Sequence, residues 1–394
     1  METRSAGRPS VAAPSPETLG RAVSAVRTAK ALEASGDTGA AAEQIEAAIA
    51  QLGALGVLAH PLADLLERLG RQRELARLCG DAASACTDPR EAAGWHLRRG
   101  QACESAGDTE SAIAAYGASL AARPRHPAAL EALQRLHRAR GDWASLARAL
   151  EEELALRAGP EEIPLRLELA QILETHLAQP GDALVHLRRA VDLDRGSDET
   201  LARALALADS LGAAAHEVPL LEVALERSTG ARERARLLAR QAALLAGPLA
   251  SPGAAAPRWR EALQLDPALQ CAHEGLRATL EQLGDWPALL TCLLDAARGV
   301  GDGARRALLE RAACIASEHL GADAALPWLE RLRAEAPRDA ALVARIASLH
   351  RSAGRVGALQ ASLEAELALG PEPERARVLE AERDALLSAI RGSR

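Results

Sequence analysis

Apolar residues recur at helical spacing along almost the whole chain, and short polar hinges interrupt them at regular intervals. Leu130, Leu133 and Leu136 recur every three residues, then Leu146, Leu150 and Leu154 every four, giving one apolar stripe per segment. Between the two segments stands Gly141-Asp142-Trp143. Glycine has no Cβ to clash in the left-handed conformation that ends a helix. Asp142 can then cap the next helix by accepting an N–H from Ala144 or Ser145. A connection this short folds the two helices back on each other. A near copy, Gly284-Asp285-Trp286, stands further along the chain, with Pro287 in the first turn, where a missing N–H costs little. Both stretches predict a helix hairpin.

The hinges set a register. The step from Gly36 to Gly70 equals the step from Gly107 to Gly141, a period of about 34 residues. The clearest unit is 93–126, with Gly100-x-x-Cys103, Ala112-x-x-x-Tyr116 and a closing Pro124. Its period and these spacings resemble the tetratricopeptide repeat (TPR) family. The offset from Ala to a closing residue repeats in Ala255-x-x-x-Trp259 with Pro267 and Ala325-x-x-x-Leu329 with Pro337. It repeats more loosely in Ala41-x-x-x-Ile45 with Gly53 and Ala183-x-x-x-Leu187 with Arg195.

Odd units thus start near residues 22, 93, 164, 236 and 306, and even units near 56, 127, 198, 270 and 340. Even units place Leu75, Leu146, Leu289 and Leu359 five residues after Gly70, Gly141, Gly284 and Gly354. Unit six, with Gly212 and Glu217-Val-Pro-Leu, fits least well. The resemblance covers roughly residues 20–390 and implies an all-α fold. That fold is an α-solenoid of about ten stacked TPR-like helix hairpins, arranged as five two-repeat modules in a right-handed superhelix. The expected organisation is a disordered tail at 1–16, rich in Pro, Ser and Ala, a solenoid at 17–370, and a polar capping helix and tail at 371–394.

Composition narrows the class. Aromatics make up 2% of the 394 residues, with no Phe and one Tyr, so the core must be mainly Leu and Ala and a β-rich fold is disfavoured. Lys30 is the only lysine and Asn is missing, a bias that points to a GC-rich bacterial genome. The net charge of −7 is interspersed along the helices, with no basic run long enough for nucleic acid and none for a membrane surface. No apolar stretch reaches membrane-spanning length and no signal core opens the chain, so a cytoplasmic protein is expected. Six cysteines without a Cys-x-x-Cys pair do not indicate a disulfide framework.

Candidate chemistry is sparse. There is no His-Glu-x-x-His, Walker loop or Gly-x-Ser-x-Gly elbow, and no enzymatic activity, metal or cofactor is expected. Cys271-x-His273, with Cys292 one hairpin away, reads better as a buried thiol and a helix-start histidine than as metal ligands. Gly299-Val-Gly301-Asp-Gly303 follows a helix rather than a strand, so it reads as a linker. His137 and His350, three modules apart, predict a packing or capping role, and the five tryptophans predict gap filling in the core.

The resemblance implies function through shape: the first helices of the hairpins line a concave groove that takes peptide or protein segments. Carried over by register, the groove positions are Leu97, Gln101 and Glu104 in unit three, Glu131, Arg135 and Arg138 in unit four, and Glu168 and Ile172 in unit five. Glu274 and Glu281 in unit eight and Glu310 in unit nine complete the set. TPR domains that clamp a C-terminal carboxylate use Asn and Lys at these positions, and their scarcity here argues against that subtype. The expected role is a non-enzymatic scaffold or adaptor that binds other proteins; the alternative is a regulatory or substrate-recruiting subunit of an enzyme complex encoded elsewhere.

Overall fold

The computed structural model describes residues 15–52 and 55–392. Most of the segment read as a disordered tail, residues 1–14, lies outside the described residues, as do Gly53 and residues 393–394. Twenty-one α-helices are described, and no strand occurs among the described residues. The chain divides into two compact units, one ending at Leu207 and one beginning at Ala208.

The first unit contains α1 (Pro16–Ala34), α2 (Thr38–Leu52), α3 (Leu55–Arg68), α4 (Gln72–Ala85), α5 (Pro89–Ser105) and α6 (Thr109–Ala122). It continues with α7 (Pro127–Arg140), α8 (Trp143–Leu154), α9 (Glu162–Thr175) and α10 (Pro180–Leu193), and the boundary falls within α11 (Asp198–Ser210). The second unit holds α12 (Ala214–Arg227), α13 (Ala231–Ala246), α14 (Pro252–Leu265), α15 (Gln270–Leu283) and α16 (Trp286–Arg298). After these come α17 (Asp302–Ile315), α18 (Ala322–Glu335), α19 (Ala340–Ser352), α20 (Val356–Ala368) and α21 (Pro373–Gly392). Sequential neighbours pack together, as in α1 on α2, α4 on α5 and α5 on α6 in the first unit and α13 on α14, α17 on α18 and α19 on α20 in the second. The fold is an all-α, solenoid-type series of TPR-like hairpins.

The turn chemistry explains the period. Every first-to-second-helix turn contains one residue with positive φ. In even units these are Gly70, Gly141, Gly212, Gly284 and Gly354; in odd units they are Gly36, Gly107, Ala178, Ala250 and Gly321. Each set steps along the chain by one two-repeat module at a time. At Gly141 (φ 70°) and Gly284 (φ 66°) glycine takes the left-handed conformation that reverses the chain. Asp142 accepts from the Ser145 N–H at 3.2 Å, and Asp285 from that of Ala288 at 3.3 Å, so each hinge both ends one helix and starts the next. Ala178 (φ 52°) and Ala250 (φ 46°) hold the same conformation with a Cβ, an unfavourable choice for an L-residue. Neither positive-φ position carries a glycine, so the hinge signal in the sequence lapses there although the turns persist.

The cores are built from Ala and Leu, whose small and medium side chains let helices approach closely. The few rings fill defined gaps. Tyr116, 1% exposed, lies over Gly100, where a Cβ would come within 2.4 Å of the ring. Trp259 lies over Gly275 in the same way, at 2.3 Å, and its Nε1 donates to Thr279 Oγ1 at 3.1 Å. The hinge tryptophans are only half-buried. Trp143 stacks on His176 (3.9 Å between ring centroids, 5° between planes), and Trp286 on His319 (3.7 Å, 1°). In each case the histidine follows the first helix of the next hairpin, so the stack is a repeated joint between a hinge and that helix end. His350 is buried, and His137 Nδ1 lies 3.2 Å from Asp142 Oδ2.

Among the described residues three glutamates are buried, each beside arginine: Glu162 with Arg166 (2.6 Å), Glu366 with Arg375 (2.9 Å), and Glu217 with Arg240. Glu217 belongs to the segment that fits the repeat least well. Its burial gives that departure a structural role, because Arg240 of α13 reaches both Glu217 and, at 2.9 Å, Asp209.

Candidate functional site

The first helices of the hairpins carry charge in a pattern one repeat long. In the first unit Arg68 pairs with Glu33, Arg98 with Asp64 (2.7 Å) and Glu67 (2.6 Å), and Arg135 with Glu104 (2.8 Å). Arg138 then pairs with Glu168, and Arg203 with Glu174 (2.9 Å). Each pair joins one first helix to the next, and helical periodicity therefore puts these residues along one shared face. The second unit has the same device: Arg240 with Asp209, Arg311 with Glu281, and a two-pronged bond from Arg351 to Glu382 at 2.6 and 2.7 Å. Exposed pairs of this kind contribute little each, typically about 0.2–1 kcal/mol.

Between α5 and α7 this face opens into a cleft of about 690 Å³ whose walls include Leu97, Gln101, Glu104, Glu131 and Arg135. Five of the positions expected from the sequence thus come together. Glu104 is the organising group: Arg135 pairs with its carboxylate at 2.8 Å and donates a hydrogen bond to it at 2.9 Å, and the Tyr116 hydroxyl donates another at 3.0 Å. Burial, and then the Glu104 acceptor, push the Tyr116 phenol above its ordinary pKa, so it stays a donor. Gln101 and Glu131 are exposed, and Glu131 forms no ion pair among the described residues.

The other candidates are distributed differently. Arg138 and Glu168 hold each other across α7 and α9. Ile172 is 4% exposed and packs with Leu146, Leu150 and Leu169, so it has no surface to offer a partner. Its register position predicted a groove residue; the close approach of α8 turns it inward. Glu274 is exposed on α15, Glu281 is held by Arg311, and Glu310 pairs with Arg306 at 2.8 Å. Arg306 also reaches Asp339 at 2.7 Å, closing a smaller cleft of about 250 Å³ between α17 and α19. Sequence reasoning found Glu281 but missed its partner Arg311, and it missed Arg98 together with its acids Asp64 and Glu67. Their signal was present, as acid and base about one repeat apart on successive first helices.

No cluster of three His, Cys, Asp or Glu able to hold a metal occurs among the described residues. Cys271 is exposed, and His273 Nε2 is 2.8 Å from the Pro267 carbonyl, at the start of α15. The six cysteines are free, and burial pushes the Cys79 thiol up to about 11, away from the thiolate needed for nucleophilic work. No helix among the described residues is long and apolar enough to cross a membrane.

Comparison with known proteins returns no matching family model and no matching curated protein. Solved structures do match, at low similarity. A complex described as Naa15/Naa10 bound to HypK-THB aligns with 93% of this chain and 66% of its own, at 14% identity and TM-score 0.37. A tetratricopeptide repeat protein from Parabacteroides merdae ATCC 43184 aligns with 66% of this chain and 99% of its own, at 18% identity and TM-score 0.32. YrrB, described as a TPR protein with an unusual peptide-binding site, aligns with 46% of this chain and 89% of its own, at 18% identity and TM-score 0.25. The chain is thus similar at low identity to TPR proteins, while its fold class rests on its own ten turns and their period.

Proposed function

We propose that the protein is a non-enzymatic scaffold or adaptor whose first-helix face binds a segment of another protein. The observation that carries this reading is the cleft between α5 and α7, where Leu97, Gln101 and Glu131 are presented on a frame fixed by the Tyr116–Glu104–Arg135 network. A prearranged surface of this kind lowers the ordering cost of binding. The paired residues act as the frame, and Gln101, Glu131 and the Leu97 side chain act as the contacts. By the TPR resemblance this face is the concave one, and an extended or helical segment is the fitting occupant.

The test is comparative affinity capture from native lysate with mass spectrometry, using the wild type and a Gln101→Lys/Glu131→Lys variant. Neither replaced residue lies in an ion pair, so the helical content and melting curve should stay unchanged. A partner retained by the wild type and lost from the variant supports the reading. Partners held equally by both would remove this face from consideration.

A further inference from the structure

We propose that a second site, on the opposite side of α5, binds an acidic peptide segment in extended conformation. It is a cleft of about 1050 Å³ between α4 and the α5–α6 turn, walled by Arg73, Arg77, Gly80, Arg99 and Asp108. At 3.6 residues per turn Arg99 lies on the reverse of the helix from Gln101 and Glu104. This cleft is therefore distinct from the first-helix face.

Three observations give it chemistry. Arg73, Arg77 and Arg99 form no ion pair among the described residues, whereas Arg68, Arg98, Arg135 and Arg138 on the other face all do. Arg99 is only half-exposed, and its guanidinium rests on α4: Nη1 lies 3.5 Å from where a Cβ on Gly80 would stand. A partly desolvated guanidinium without a carboxylate is left short of counter-charge, which an incoming anion supplies. The cleft's own acids, Asp81 and Asp108, form no ion pair with these arginines among the described residues, although the Arg73 charge bears on Asp108. Asp108 accepts from the Ser111 N–H at 3.1 Å to cap α6, and Asp81 is exposed without an ion pair.

The dimensions select the occupant. A cleft of this size is suited to a molecule rather than to a single oxyanion. Arg73 and Arg77 are one helical turn apart, about 6 Å along α4. Alternate side chains of an extended chain lie about 6.8 Å apart on one face. Two carboxylates at positions i and i+2 of an extended segment therefore meet Arg73 and Arg77, while Arg99 stands across the cleft for a third acidic group.

The experiment is fluorescence anisotropy on the full chain with a short fluorescein-labelled peptide alternating Glu and Ala, and a control peptide carrying Gln for Glu. At low salt the Glu peptide should bind saturably, weaken as salt rises, and outcompete the Gln peptide. An Arg73→Gln/Arg77→Gln/Arg99→Gln variant should lose affinity by about tenfold or more with an unchanged melting curve. Arg77→Glu alone, an exposed change, should show the same direction should the triple variant fold poorly. Glu131→Lys on the other face should leave this binding as it was, which separates the outcome from that of the first-helix reading. Equal binding by the triple variant, equal binding of the Gln peptide, or full displacement by inorganic phosphate at matched charge would each overturn the proposal.

Discussion

On one side of α5 Arg98 is held between Asp64 and Glu67 and only 22% of its side chain is exposed; on the other side Arg99, one residue later, meets no carboxylate. The two arginines share a helix and a composition, so propensity cannot distinguish them. What differs is the neighbour. The first-helix face sets most of these helices against another that offers an acid one repeat away, and the charges there become fasteners. The reverse face sets α5 against α4, where Arg73 and Arg77 stand with Gly80, and the charges stay available. An arginine count therefore says little about binding until the pairing is known.

The largest expected effect that sharpens this contrast lies between the two faces, at Gly100. A Cβ there meets the Tyr116 ring at 2.4 Å, and Tyr116 supports Glu104. Gly100→Ala should destabilise by about 2–3 kcal/mol, measured by urea unfolding, although the same exchange in an open helix is stabilising. An unchanged midpoint would show that the ring can move aside.

Next comes the pairing itself. Arg98→Ala should cost about 1 kcal/mol, while Arg77→Ala should stay within about 0.5 kcal/mol. Equal losses from both in the same unfolding assay would erase the distinction between paired and free faces. In the opposite direction, Gly80→Ala should stabilise by about 0.5–1 kcal/mol. The added Cβ makes ordinary contact with Arg99 at 3.5 Å, and helix propensity then decides the sign.

The smallest effect is expected in acid. The Ser111 bonds hold the Asp108 carboxyl below its ordinary pKa, the Ser145 bonds do the same for Asp142, and Arg306 does so for Asp339. Groups lowered on folding stabilise above the ordinary carboxylate pKa of about 4 and lose that contribution as pH falls through their lower folded values. Melting temperature should therefore decline as pH is lowered through and below about 4. Asp108→Asn, which keeps the capping oxygen, should shed part of that decline.

Much of the fold was legible in the chain. Gly36, Gly70, Gly107, Gly141, Gly212, Gly284 and Gly354 mark turns because positive φ is readily adopted only by glycine, and all seven adopt it. Ala178 and Ala250 escaped notice because they adopt a positive φ that an L side chain disfavours. The candidate face was legible as a helix register, which grouped Leu97, Gln101, Glu104, Glu131 and Arg135 around one cleft. Register alone could not separate Glu131, which forms no ion pair, from Glu168, which Arg138 holds, nor foresee that α8 buries Ile172.

By itself the sequence determined the local and periodic features: helices from apolar spacing, reversals from glycine and an aspartate cap, and a two-hairpin module from their recurrence. Those depend on interactions within a few residues, which any chain of this order must make. Only the tertiary structure decided which charges are paired and which remain free. An arginine's partner lies about one repeat away on a neighbouring first helix, and whether the two side chains meet is fixed by how helices pack rather than by what either helix contains.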